Sequence, residues 1–167
     1  MKNLKIIIPA AVAILALIAA IIIALTPSKA DPVESMANLE KLELIGCYNI
    51  EDISPIKDIK ELRKLNIFQC PKINNINVIS SLTDLNVLRI GESPCEVTDY
   101  IASFNNLERL DLDPIYYDKV NIEILKKANY LKYLRLGVIQ KTEEQMKELS
   151  DTLTNALPNC EVRIGEG

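Results

Sequence analysis

The stretch Leu39-Glu40-Lys41-Leu42-Glu43-Leu44 sets leucines at its first, fourth and sixth places. The same spacing returns at Leu62-Leu65-Ile67, Leu85-Leu88-Ile90, Leu107-Leu110-Leu112 and Leu131-Leu134-Leu136. The starts are 23, 23, 22 and 24 residues apart. A single compact core does not impose such a period. A solenoid does, because each turn buries its apolar face against its neighbours. Surfaces of that kind are long and regular, and they bind proteins more often than they do chemistry.

Within each return, Leu-x-Leu is the alternation of a short strand, with apolar residues on one side and the intervening residues on the other. The rest of each repeat must carry the chain back to the next strand. Between Leu44 and Leu62 the apolar residues Ile50, Ile53, Ile56 and Ile59 recur at every third place, and Ile73, Ile76, Ile79 and Leu82 continue the scheme. A period of three suits 3₁₀ or irregular turns, and Pro55 fits such a segment while breaking an α-helix. The strands should stack as one parallel sheet with rungs ~4.8 Å apart.

The repeats, and the segment Ile50-Glu51-Asp52-Ile53-Ser54-Pro55-Ile56 in particular, resemble the leucine-rich repeat family in its short, internalin-like bacterial subclass. The resemblance covers roughly residues 38–165. It implies an α/β solenoid with a parallel sheet on the concave face, 3₁₀ or helical returns, and partner binding on the concave face. It names no partner. The chain departs from the pattern in three places. The position three past the last strand leucine, normally Asn or Cys, reads Cys47, Cys70, Ser93, Ile115 and Ile139, so a polar ladder is lost in the later turns. The return over Val120 to Ala128 reads as one helix, and Thr142 followed by Gln145 reads as a capping-box start, with Met146, Leu149 and Leu153 on one helical face. The last strand, Val162-Arg163-Ile164, is degenerate and should close the solenoid behind the longer helix.

Alternation assigns three outward columns. The first is Lys41, Lys64, Val87, Arg109, Tyr133 and Glu161; the second is Glu43, Asn66, Arg89, Asp111, Arg135 and Arg163. The third is Ile45, Phe68, Gly91, Asp113, Gly137 and Gly165. A slip of one residue would exchange these with the core. Ile45 and Phe68 are apolar where the fold does not require it, so they are either a partner's hot spot or covered by neighbouring chain. Arg89, Arg109, Asp111, Tyr133 and Arg135 are the residue types favoured at interfaces, set against the alternative that Arg89, Asp111 and Arg135 satisfy one another across rungs. These seven residues form the candidate partner-binding site. Tyr116 and Tyr117 either rim that face or pack in the loop.

The N-terminus reads differently. Ile6 to Leu25 is a run of 20 residues without a charge, preceded by Lys2 and Lys5. As a helix it would span ~30 Å, the thickness of a bilayer core. Residues 1–30 are therefore expected to be a transmembrane anchor and linker with a cytoplasmic N-terminus, and residues 31–167 an extracytoplasmic repeat domain of about five repeats. Cleavage after Ala30, with Ser28 and Ala30 as the small residues, is the alternative and would give a secreted module. The edge formed by Asp31 to Asn38 is too short for a helical cap, and is either covered or a docking site for a membrane complex.

Residues 31–167 carry 16 Lys and Arg against 23 Asp and Glu, which argues against nucleic-acid binding. The chain contains no histidine, which removes Ser-His-Asp and Cys-His catalysis and every His-ligated metal. No phosphate-cradling glycine loop is present. Cys47 and Cys70 sit at matching positions of adjacent repeats, where buried thiols are favoured over a disulfide because side chains projecting in parallel rarely meet its torsion. Neither a cofactor nor an enzymatic role is expected.

Overall fold

The computed structural model describes residues 2–7, 39–93 and 97–166. Among the described residues, seven strands form one parallel sheet in which spatial order equals chain order. They are β1 (Lys2–Ile7), β2 (Leu39–Ile45), β3 (Lys64–Phe68), β4 (Val87–Gly91), β5 (Arg109–Tyr116), β6 (Tyr133–Ile139) and β7 (Glu161–Glu166). The returns between β2 and β5 are 3₁₀ helices at Ser54–Asp58, Ile76–Ser81 and Thr98–Ser103. Pro55 stands in the first turn of the first of these, as its fixed φ and missing N–H permit.

The expected register holds. Leu42, Leu65, Leu88, Leu110 and Leu134 pair along successive rungs, and Leu44, Ile67, Ile90, Leu112 and Leu136 form the next row. All ten are no more than 1% exposed. At ~1.5–3 kcal/mol for each fully buried aliphatic side chain, these two rows are the main cohesive term of the sheet. The apolar residues of the returns meet them from the other side, with Ile50, Ile53, Ile73, Ile79, Ile101 and Phe104 buried in the same core.

Three features differ from expectation. First, Val120 to Ala128 is not one helix. A 3₁₀ turn at Tyr117–Lys119 is followed by a single α-turn, α1 (Ile122–Leu125), whose start is fixed by Asn121 Oδ1 accepting from Ile124 N at 3.2 Å. Asn121 favours a cap over a helix interior, so the helix begins there.

Second, β5 and β6 run past the point where the earlier strands end. Asp113 and Pro114 form an irregularity, after which Ile115 pairs with Val138 and Tyr116 with Ile139. The extra residue acts as a bulge, so Val138 rather than Ile139 stands beside Ile115 in the core. The polar ladder is indeed lost there: Cys70 N donates to Ser93 Oγ at 2.9 Å, whereas Ile115 and Val138 continue the sheet with apolar residues.

Third, Lys2–Ile7 is a strand. It pairs in parallel with β2 and aligns Leu4 with Leu42, Lys5 with Glu43 and Ile6 with Leu44. The Leu4-Lys5-Ile6 alternation matches Leu42-Glu43-Leu44, so the segment fits the edge as one more rung. Ile6 and Ile7 thus depart from the helix expected to begin at Ile6. The rest of that run, the Ala30 cleavage site and the Asp31 to Asn38 edge lie outside the described residues, as does Cys95. Among the described residues no helix is long and apolar enough to cross a membrane.

The C-terminal return is α2 (Glu143–Ala156). Its capping box is complete: Gln145 N donates to Thr142 Oγ1 at 3.2 Å and Thr142 N donates to Gln145 Oε1 at 2.8 Å. Leu149 and Leu153 are buried and Met146 packs against the same core. β7 is the degenerate last strand, with Val162 and Ile164 half-buried beneath it.

Candidate protein-binding face

The two outer columns of charged and polar residues stand as alternation assigned them. Lys41, Lys64, Val87, Arg109, Tyr133 and Glu161 are neighbours rung by rung, as are Glu43, Asn66, Arg89, Asp111, Arg135 and Arg163. The third column holds through Ile45, Phe68, Gly91 and Asp113 and is interrupted at the bulge between β5 and β6, beyond which Gly137 pairs with Gly165.

Phe68 is 37% exposed, more than a core aromatic residue would be. Its position has a local cause. A Cβ built on Gly91 would lie 2.7 Å from Phe68 Cδ2, so the ring covers the neighbouring rung where only glycine leaves room. Gly137 plays the same part for Asp113, whose carboxyl occupies the space a Cβ would fill. Ile45 is half-buried beside Phe68. Together with Arg89, Asp111, Asp113 and Arg135 they line an open depression of about 370 Å³. Tyr116 is exposed and Tyr117 packs against the core.

Asp111 is the one carboxylate buried in this face, at 9% exposure. It accepts from Arg89 Nε at 3.0 Å and from Arg109 Nε at 2.7 Å. The hydrogen bond that Arg109 donates to Asp111 holds the guanidinium pKa above its ordinary value. Arg109 Cζ also lies over the Tyr133 ring, 3.8 Å from its centroid, and Arg163 approaches the same ring at 5.7 Å. Arg135 turns to Asp113 instead, at 2.5 Å. The mutual-satisfaction alternative therefore takes a different membership: Asp111 serves Arg89 and Arg109, and Arg135 is held by the bulge residue. The seven candidate residues form one continuous surface across β2 to β6.

A second polar ladder on the returns escaped the sequence reading. Asn75 Oδ1 accepts from Ile53 N at 3.0 Å, and Asn75 Nδ2 donates to Ser54 Oγ at 2.9 Å and to Asp52. Thr98 Oγ1 donates to Lys119 O at 2.8 Å and accepts from Asn121 N at 3.2 Å. Asn121 Nδ2 donates to Asp99 Oδ1 at 2.6 Å. Asp52, Asn75, Thr98 and Asn121 are each one 23-residue step apart, a periodicity present in the sequence beside the leucines. The ladder holds the returns and adds nothing to the open face.

The thiols are structural. Cys47 and Cys70 are buried and share no disulfide, and Cys70 Sγ donates to Phe68 O at 3.4 Å. The adjoining Cys47 thiol and burial hold Cys70 far above the ordinary thiol range, which disfavours a reactive thiolate. Among the described residues no group of His, Cys, Asp or Glu is placed to hold a metal.

No family model matches the chain. Nor does any curated protein. Among solved structures, an internalin (inlF) from Listeria monocytogenes is similar, with 24% identity and a TM-score of 0.49 over 82% of this chain. The chain spans 39% of that protein's length. In-register parallel rungs, Leu-x-Leu strands and short helical returns together make this a leucine-rich-repeat-like solenoid.

Proposed function

We propose that the chain is a non-catalytic protein-binding repeat module, related to the internalin-like subclass, whose partner lies on the open sheet face. The observation that carries this reading is Phe68, an aromatic ring seated on Gly91 and left in solvent beside Ile45 and a cluster of arginines. The fold requires none of these side chains, and together they have the composition of an interface centre. The absence of histidine from the sequence accords with a role outside catalysis.

Display outside the cytoplasmic membrane, with residues 6–25 as a single span, belongs to the same proposal. The unbroken apolar run and the lysines ahead of it support that topology. Insertion has a consequence for the sheet. A strand paired with β2 cannot also lie across the bilayer from it, so insertion withdraws Lys2–Ile7 and bares the β2 edge. Cleavage near Ala30 does the same in a secreted module. The pairing of β1 with β2 favours a second reading, a structural accessory of a membrane complex that receives a neighbour's strand on that edge.

Capture from bacterial envelope extracts separates these readings. Under the first, Phe68→Asp loses the captured partner while Lys127→Asp, on the return side, retains it. Retention by both variants would refute the open face as the site. Intact mass and fractionation decide the topology: full-length mass in membranes supports the anchor, and a mass starting at Asp31 in the medium supports the secreted form.

A further inference from the structure

Charge is sorted by residue type in this domain. Four of the five arginines, but only two of the eleven lysines between residues 39 and 166, stand in the outward columns of the open face. Six cations there meet four carboxylates, whereas residues 31–167 as a whole carry an excess of acid. Lysine is the ordinary solubilising cation. Arginine presents a planar fork of N–H donors matched to carboxylates, and it is the cation favoured at interfaces. Arg89 and Arg135 are 50% and 42% exposed along their side chains, and each is paired with an acid. A guanidinium has five N–H donors, so both retain donors for a further acceptor.

The apolar element lies within reach of this charge. Phe68 and Gly91 are one rung pair, and Arg89 sits two residues before Gly91 on β4. With ~3.3 Å per residue along a strand and ~4.8 Å between rungs, Phe68 and Arg89 backbones are ~8 Å apart. An extended peptide places alternate side chains on one side ~7 Å apart. One apolar residue and an acidic residue two places along would therefore reach both.

Resting on the open face as the binding site, we infer that the partner presents an extended acidic segment. Its aspartates or glutamates engage Arg89 and Arg135, and one aliphatic or aromatic side chain rests on Phe68 and Ile45 over Gly91. The domain's overall negative charge disfavours such a segment everywhere else on its surface, so the arginine face gives direction as well as affinity.

The test uses the full chain and labelled synthetic peptides of about ten residues, read by fluorescence anisotropy. Each peptide carries one Leu or Phe set among Asp and Glu, among Lys and Arg, or among Asn and Gln; a matched acidic peptide carries Ser at the apolar place. A single-stranded oligonucleotide serves as a non-peptide polyanion. The acidic apolar peptides should bind best and weaken as salt rises. Replacing Arg89 and Arg135 together by Gln should weaken them by at least about tenfold, as expected for charge-assisted hydrogen bonds. Phe68→Ser should erase the advantage of Leu over Ser and leave the Ser peptide unchanged. Binding of the basic or neutral class, lost in Phe68→Ser, would overturn the acidic specificity while leaving the open face as the site. Acidic peptides that bind all variants equally would overturn both. Binding of the oligonucleotide alone, or of no probe, would overturn the acidic-segment inference.

Discussion

Replacing Asn75 by Ala removes three hydrogen bonds from one point of the return ladder. Its Oδ1 is the acceptor for Ile53 N, and Ile53 is only 1% exposed. Alanine leaves that N–H without a partner in a place water reaches poorly, at a cost of about 1–3 kcal/mol. The bond from Nδ2 to Ser54 adds about 1 kcal/mol. The bond to Asp52 is exposed and is left out of the sum. The expected loss is therefore about 2–4 kcal/mol, or a fall in Tm of roughly 4–16 °C for a domain of this size. Asn74→Ala is the internal control, because Asn74 is exposed and should change stability by less than about 0.5 kcal/mol. Urea and thermal unfolding of the full chain, followed by circular dichroism, measure both. No loss of stability in Asn75→Ala relative to the parent would refute the ladder as a cohesive element. Equal losses in the two would show that the return as a whole, and not the amide, carries the effect.

The hydrogen bonds from Ser54 hold the Asp52 carboxyl below its ordinary value of 3.8. Its contribution is therefore present above pH 3.8 and is lost as pH falls through the lowered value, so Asp52→Asn should flatten the acid limb of the stability curve. An unchanged acid limb would show that Asp52 titrates alike in both states. Thr142→Ala should cost about 1 kcal/mol by opening the capping box, and Thr142→Ser should restore most of it, read from urea midpoints. Iodoacetamide should modify half-buried Cys160 in the native protein well before Cys47 or Cys70, as peptide mass mapping would resolve, with all of them reacting after denaturation. Early loss of the Cys47 and Cys70 thiols would mean that the first rungs open readily.

Most of the sheet was legible because one physical requirement recurs. Parallel rungs in register must place like residues side by side, so Leu42, Leu65, Leu88, Leu110 and Leu134 announce both the strands and their alignment. The outward columns follow from the same alternation, which is why Arg109 and Tyr133, and Arg89 and Asp111, stand on neighbouring rungs as expected. What was missed depends on single residues. Pro114 shifted the pairing by one place beyond Leu112, and no leucine period records such a bulge. Asn121 set the helix start at Ile122 rather than Val120, since capping competes locally with the apolar pattern around it. Asn75 was hidden differently: its period was there, but polar residues on returns look like solvated surface until their donors and acceptors are counted. The strand at Lys2–Ile7 was obscured by the apolar run that follows it.

The agreement of strand order with chain order also governs how the molecule comes apart. Every strand is held only by the turns before and after it, so opening has no single all-or-none event imposed by distant contacts. Amide hydrogen exchange should therefore be slowest in β4 and β5 and quicken toward both ends, with β7 fraying early because it pairs with a strand, β6, on one side only. The face spanning Phe68 to Arg135 lies across the slow middle. A partner seated there would act as a splint, fastening the rungs that are already the last to let go.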